Sequence, residues 1–192
     1  MERKSYLFLA EGFEEIEALT VVDILRRADM PVVTVSITDS YEVVGAHSIK
    51  VKADVLFKDA DFAEVDWLIL PGGMPGAVNL HNFEPLNELL KRQYLTGGKI
   101  AAICASPAVV LAPLGILDGK SATCYPGFEE MIHDAKVLDG PVVQDGSVIT
   151  ANGPAAAMRF ALALVAINRG DDYAYELAGG LLLTPQSHQS FF

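Results

Sequence analysis

Short apolar runs rich in β-branched residues alternate with longer stretches whose apolar positions recur at helical spacing, and this alternation constrains the fold more than any other feature. Tyr6–Leu9 reads as a first strand, and Glu14–Asp29 as a helix with Val21, Ile24, Leu25 and Ala28 on one stripe. Pro31 resets the chain into Val32–Ile37, a continuous β-branched run of the kind a strand shows when both its faces are buried. Val43–Val55 alternates at Ile49, Val51 and Ala53 and predicts a small hairpin or edge excursion. Trp67–Leu70 is a third buried strand, stopped by Pro71-Gly72-Gly73. Leu80–Tyr94 reads as one helix closed by Gly97-Gly98. Ile100–Ile103 is a fourth strand, after which Pro107 opens a short helix to about Leu114. A further strand is expected within Leu117–Thr123, and Val148–Ala151 is the last clear one. Gly153-Pro154 opens the final long helix, Ala155–Asn168, with proline where the first turn needs no N–H. Strands alternating with helices predict a mostly parallel sheet covered on both faces, in a single α/β domain over residues 1–192. The tail, Leu181–Phe192, is left to pack on the domain, cross to a partner or fray.

The bulk numbers exclude several function classes. A formal charge of −11 argues against nucleic acid as a partner, since phosphate binding depends on clustered Lys and Arg. No run approaches the ~18 consecutive apolar residues of a membrane span. Met1 to Lys4 is charged and leads into a short apolar stretch without a small-residue cleavage site, which predicts no secretory signal and a cytoplasmic location. Cys104 and Cys124 stand twenty residues apart with no C-x-x-C, and no Cys/His cluster has zinc spacing. In a reducing compartment a disulfide between them is not expected, nor is a metal.

In an open α/β sheet, ligands bind beyond the carboxyl ends of the strands, which selects three segments. Ala101-Ala102-Ile103-Cys104-Ala105-Ser106-Pro107 places a thiol between an apolar strand and a proline-opened helix. Ala102 and Ser106, two residues either side, are small, as a strained nucleophile elbow requires. A helix N-terminus there would lower the thiol pKa; a plain buried cysteine is the alternative. Gly72-Gly73 offers exposed backbone amides for an oxyanion, or else a tight turn. Glu17 lies at the edge of the apolar stripe of its helix, where a carboxyl is costly unless protonated or partnered. Glu14 and Glu15 are explained as first-turn acids that complement the helix dipole. None of His47, His81, His133 and His188 adjoins Cys104, and a solvated surface accounts for each. Cys124 reads as a packing residue, and Tyr125 beside it as a pocket wall.

With these residues in view, the chain resembles the ThiJ/PfpI superfamily, in the branch of the Parkinsonism-associated deglycase (DJ-one). The resemblance rests on Ala10-Glu11-Gly12-Phe13-Glu14-Glu15-Ile16-Glu17, Leu70-Pro71-Gly72-Gly73, the Cys104 segment and Asn152-Gly153-Pro154, and spans about Tyr6 to Gly170. It implies a flavodoxin-like three-layer sandwich and a homodimer whose interface lies near the active site. It also implies Cys104 as the reactive cysteine, Glu17 as its protonated partner, and Gly73 and Ala105 as the oxyanion amides. The chain departs from the pattern in four places. Ala105 stands where protease-like relatives carry a histidine, and Tyr125 where close relatives often do. His47 replaces a pocket arginine, and Asn152 replaces an arginine before Gly-Pro. A pocket of Tyr125, His47 and Asn152 has lost positive charge, which speaks against a phosphate or carboxylate substrate.

Three functions are therefore expected in order. The first is a cofactor-independent enzyme of the glyoxalase III or protein deglycase type, acting on a small aldehyde or its thiol or amine adduct. Cys104 is its nucleophile and Glu17 its proton relay. The second is an oxidative-stress sensor or chaperone-like protein working through oxidation of Cys104. The third is a PfpI-like cysteine peptidase, which lacks an adjacent histidine base.

Overall fold

The computed structural model describes residues 3–183. The elements in chain order are β1 (Lys4–Leu9), α1 (Glu15–Arg27), β2 (Val32–Ser36), β3 (Glu42–Val44), β4 (Lys50–Lys52) and β5 (Val55–Leu56). Then follow β6 (Val65–Leu70), α2 (Gly76–His81), α3 (Glu84–Leu95), β7 (Lys99–Ile103), β8 (Ser121–Ala122) and β9 (Lys136–Val137). The chain continues with β10 (Val142–Asp145), β11 (Val148–Ala151), α4 (Ala157–Arg169) and α5 (Asp171–Gly180). Seven strands form one sheet in the order β10-β11-β7-β6-β1-β2-β5. Every pairing is parallel except that of the edge strand β10 with β11.

Burial of both faces explains the unbroken apolar runs. Leu7, Leu9, Trp67, Ile69, Ala101 and Ile103 point to one side, where α1 and α4 cover them. Tyr6, Phe8, Leu68, Leu70, Ile100 and Ala102 point to the other, against Leu80 of α2 and Leu86, Leu89 and Leu90 of α3. The expected three-layer α/β sandwich with a mostly parallel sheet is what the chain builds.

The sheet order reverses between β1 and β6: β2 and β5 run out to one side of β1, while β6, β7 and β11 run to the other. A crevice opens at such a switch point, beyond the carboxyl ends of the strands. The segments after β1, β6, β7 and β11 all meet at this edge.

Several elements differ from the sequence expectation. The single helix expected over Leu80–Tyr94 is two, α2 and α3, because Pro85 has no N–H and takes a first-turn position of a new helix. Within Leu117–Thr123 only Ser121–Ala122 is a strand, and it pairs with β9 in a small separate sheet. The hairpin expected over Val43–Val55 is present as β3 and β4. The helix after Pro154 begins with one 3-10 turn, Pro154–Ala156, and is not the last, since α5 follows Gly170. His188 and most of the expected tail lie outside the described residues. No helix among the described residues is long and apolar enough to cross a membrane.

Candidate active site

The turn after β7 is strained and doubly clamped. Cys104 has φ 66°, a left-handed conformation that costs an L-residue with Cβ roughly 1–2 kcal/mol. Neighbouring backbone holds it there. Cys104 N–H donates to Ala151 O of β11 at 2.8 Å, and Cys104 O accepts from Tyr125 N–H at 2.8 Å. Ser106 Oγ donates to Pro71 O at 2.6 Å and ties the turn to the loop after β6. Ala102 and Ser106 are fully buried, so the small side chains flanking the elbow have no room to be larger.

Gly72 is required by proximity. A Cβ there would stand 2.6 Å from Cys104 Cβ, 2.8 Å from Glu17 Oε2 and 3.0 Å from the sulfur, inside van der Waals contact with each. The Gly72 N–H donates to Glu17 Oε2 at 2.7 Å. Gly72 was expected among the oxyanion amides; its N–H is instead spent on the carboxyl group. The amides that reach the Cys104 sulfur are those of Gly73 and Ala105.

Glu17 is wholly buried, as its place on the α1 stripe predicts. Its second oxygen, Oε1, has no hydrogen-bond partner among the described residues, and the carboxyl group interacts with the Cys104 thiol. Burial pushes the Glu17 carboxyl up to about 7, against the pull of the Gly72 N–H and the thiol and with a small push from Glu14. With Oε2 taken by the amide, Oε1 is the oxygen free to carry a proton.

The thiol itself is not acidified in the way the sequence predicts. Burial and then the Glu17 charge push Cys104 up to about 12, while the Gly73 and Ala105 amides act in the other direction. The segment after the elbow, Pro107–Leu111, is five residues of π-helix and not the regular helix that the sequence predicts. The two groups form one titrating pair. Its first proton leaves near neutral pH and its second only in strong alkali.

The remaining candidates sit around this pair. The Tyr125 ring packs on Gly153 and meets Phe128 edge-on, at the rim of the elbow it clamps. Asn152 is half-buried and its N–H donates to Pro141 O. His47, on the turn of the β3–β4 hairpin, is held by Glu15: its N–H donates to Glu15 Oε1 at 2.7 Å and its Nδ1 lies 2.8 Å from Oε2. Glu15 raises the imidazole pKa in return. Burial works to raise the Glu15 carboxyl, but the hydrogen bonds from His47 and Ile49 bring it below its ordinary value. Glu14 and Glu15 are both buried, so they do more than offset a dipole. Glu14 caps α1 by accepting from Ile16 N–H, and Glu15 pins the hairpin. Cys124 is a packing residue in the second core, raised to about 11 by burial and then by Glu129.

A model of the DJ-1/PfpI family matches residues 3–167. The chain belongs to the DJ-1/PfpI family. Protein DJ-1 homolog B of Arabidopsis thaliana is 37% identical over 184 residues, 95% of this chain but 42% of that relative. The chain thus spans less than half the length of the plant relatives it matches. A glutathione-independent glyoxalase of Caenorhabditis elegans is 36% identical over 185 residues, 94% of this chain and 97% of the relative. The structure of an oxidised DJ-1 of Toxoplasma gondii is similar with a TM-score of 0.90 at 37% identity, covering 94% of this chain and 98% of that one. The DJ-1/PfpI fold accounts for the three-layer sandwich, and the Cys104 elbow lies inside the matched span.

Proposed function

We propose that this chain is a cysteine enzyme of small reactive aldehydes, of the glyoxalase or deglycase type, working without an organic cofactor. The observation that carries the reading is the pairing of the Cys104 sulfur with a buried carboxyl group that titrates at about 7. The C. elegans relative named as a glyoxalase supports it.

The chemistry follows from that pair. The Cys104 sulfur adds to the aldehyde carbon of methylglyoxal, and its proton passes to Glu17 as the C–S bond forms. The oxygen of the resulting hemithioacetal is stabilised by the Gly73 and Ala105 amides. Glu17 passes the thiol proton on to the hemithioacetal oxygen. Again a carboxylate, it takes the proton from the former aldehyde carbon and returns it to the neighbouring carbon, while the hydroxyl proton moves to the former ketone oxygen. A 2-hydroxyacyl thioester results. Water cleaves the C–S bond, releasing lactate and restoring the thiol. A carboxyl with a pKa near the working pH is suited to both giving and taking that proton.

The apolar residues exposed beside the site, Ile16 and Leu19 on α1 and Ile49 on the hairpin, support a homodimer that closes over it. A free thiol of this kind suits the reducing cytoplasm.

The test is lactate formation from methylglyoxal by the wild type, Cys104→Ala and Glu17→Gln. Loss of the nucleophile abolishes turnover, and loss of the relay lowers it by about 10²–10⁴-fold. Equal rates in the three proteins would remove the proposal.

A second reading is an oxidation sensor. Two amides and the Glu17 carboxyl group surround the sulfur and suit the oxygens of a sulfinate, formed from the thiol by two equivalents of peroxide. A selective gain of two oxygens on Cys104, without aldehyde turnover, would favour it. A peptidase is the weakest fit, because position 105 is alanine and the pocket candidate His47 is engaged by Glu15.

A further inference from the structure

Three metal-ligating side chains converge outside the Cys104–Glu17 pair. Glu14 and Glu15 stand at the start of α1 and His47 on the turn of the β3–β4 hairpin, and one donor atom from each lies within 4.8 Å of the others. His47 Nδ1 is 2.8 Å from Glu15 Oε2 and 3.4 Å from Glu14 Oε2. The other oxygen of each carboxylate is held by backbone. Glu15 Oε1 accepts from the His47 and Ile49 amides, at 2.7 and 3.4 Å, and Glu14 Oε1 accepts from the Ile16 amide at 3.2 Å. Both Oε2 atoms are therefore turned toward the imidazole. Metal centres divide the work this way, with outer hydrogen bonds orienting the ligands.

Burial adds an independent argument. The Glu14 and Glu15 side chains are 8% and 5% exposed, and Glu14 Oε2 is approached by the His47 imidazole at 3.4 Å. Adjacent carboxylates so far removed from water need compensating positive charge. The cationic partner they have among the described residues is one imidazole, 70% exposed, and a proton on Nδ1 supplies one charge against two.

We propose that Glu14, Glu15 and His47 form a three-ligand site for a divalent transition-metal cation, zinc being the reference ion. With zinc–ligand bonds of about 2.0–2.1 Å, neighbouring donors of a tetrahedron stand about 3.3 Å apart. The two Nδ1–Oε2 separations fall on either side of that value. One imidazole nitrogen and two carboxylate oxygens suit a borderline cation, not the all-oxygen shell of calcium. Filled, the centre is neutral, which matches its burial. The cation fastens the hairpin to the start of α1 and takes no part in the aldehyde chemistry, so the inference stands apart from the proposed function.

The experiment is titration of the full chain with Zn2+ against a chromophoric chelator at pH 7.5, with Co2+ spectra as a second readout. One equivalent is expected to bind, with tetrahedral Co2+ bands in the visible. Binding persists in Cys104→Ser, which removes the nearby thiol as a rival ligand. It weakens at least tenfold in His47→Ala and Glu14→Gln, and in His47→Arg, where a fixed cation fills the place of the metal with the carboxylates still paired. Unchanged affinity in the three site variants, loss of binding in Cys104→Ser, or no saturable binding by the wild type would each overturn the site.

Discussion

Glu17 is the residue at which burial, charge and chemistry meet, and its titration has a consequence for stability. Its ordinary value is 4.5, and in the fold it is about 7. Between those values the folded protein keeps a proton that the unfolded chain has released. Stability therefore falls as pH rises through this window, by about 3 kcal/mol in all. Glutamine at position 17 cannot ionise. Measured by urea unfolding, the stability of Glu17→Gln relative to wild type is expected to climb between pH 4.5 and 7 and then level off. A difference that stays flat with pH would mean that the carboxyl is not held protonated by burial. The same pair governs the thiol: with Glu17 ionised above about 7 and Cys104 pushed up to about 12, alkylation of Cys104 is expected to stay slow through neutral pH and to rise only in strong alkali. An inflection near 7 would mean that the first proton of the pair leaves from the sulfur. Much of this was legible in the residues. A thiol between an apolar strand and a proline, with small neighbours two positions away, announces an elbow. A glutamate on an apolar stripe announces a buried carboxyl. The use of the Gly72 amide was not legible, because a Gly-Gly pair does not say which of its N–H groups faces which side chain. Nor was the burial of Glu14 and Glu15, since glutamate is not a usual N-cap and the partners of Glu15, His47 and Ile49, lie more than thirty residues downstream.

Strands were easier to read than helix boundaries, and the reason is physical. The inner strands are buried on both faces, so their apolar runs stand out, whereas α2 and α3 share a continuous apolar spacing that conceals the break at Pro85. The edge strand β10 carries the polar pair Gln144 and Asp145 and gives no such run. One polar network fastens the elements at the end of the sheet opposite the site. Lys99 of β7 reaches Asp66 of β6 at 2.5 Å and Asn168 of α4 at 2.8 Å, and lies 4.9 Å from the centre of the Trp67 ring. Trp67 Nε1 also donates to Asn168 Oδ1, and Asn168 Nδ2 bonds Asp66. Asp66 is largely buried, so removing the lysine leaves a charge with poor access to water. Lys99→Met is expected to destabilise the fold by about 2 kcal/mol, a buried-pair cost discounted for the partial exposure of the lysine. Thermal or urea unfolding checks it. Replacing both partners, as Asp66→Asn with Lys99→Met, is expected to recover part of that loss. No recovery in the double variant would mean that the ion pair is not the source of the effect.

At the scale of the whole molecule, the parallel order of the sheet brings four segments separated by up to about 140 residues to one edge, and three exposed apolar side chains stand beside the site there. Ile16 is 57% and Leu19 40% exposed, three residues apart on α1 and so on one face of it, and Ile49 is 52% exposed on the hairpin. The Ile16 amide donates to Glu14 and the Ile49 amide to Glu15, so this surface abuts the carboxylates that flank the site. Apolar residues clustered on a chain of charge −11 mark a place where a second copy can pack, since elsewhere like charges keep copies apart. Around a two-fold axis each substitution is repeated on both sides, so one added charge per chain becomes a like-charge pair. Leu19→Glu is accordingly expected to convert a dimeric wild type into monomer in light scattering, with the far-ultraviolet spectrum unchanged. Ile49→Glu, on a different element, is expected to do the same. A monomeric wild type would remove the dimer, and a dimer that survives both changes would place the interface elsewhere. If the dimer does close here, the monomeric variants should also lose aldehyde turnover faster than they lose stability, because water then reaches a site that the second copy keeps dry.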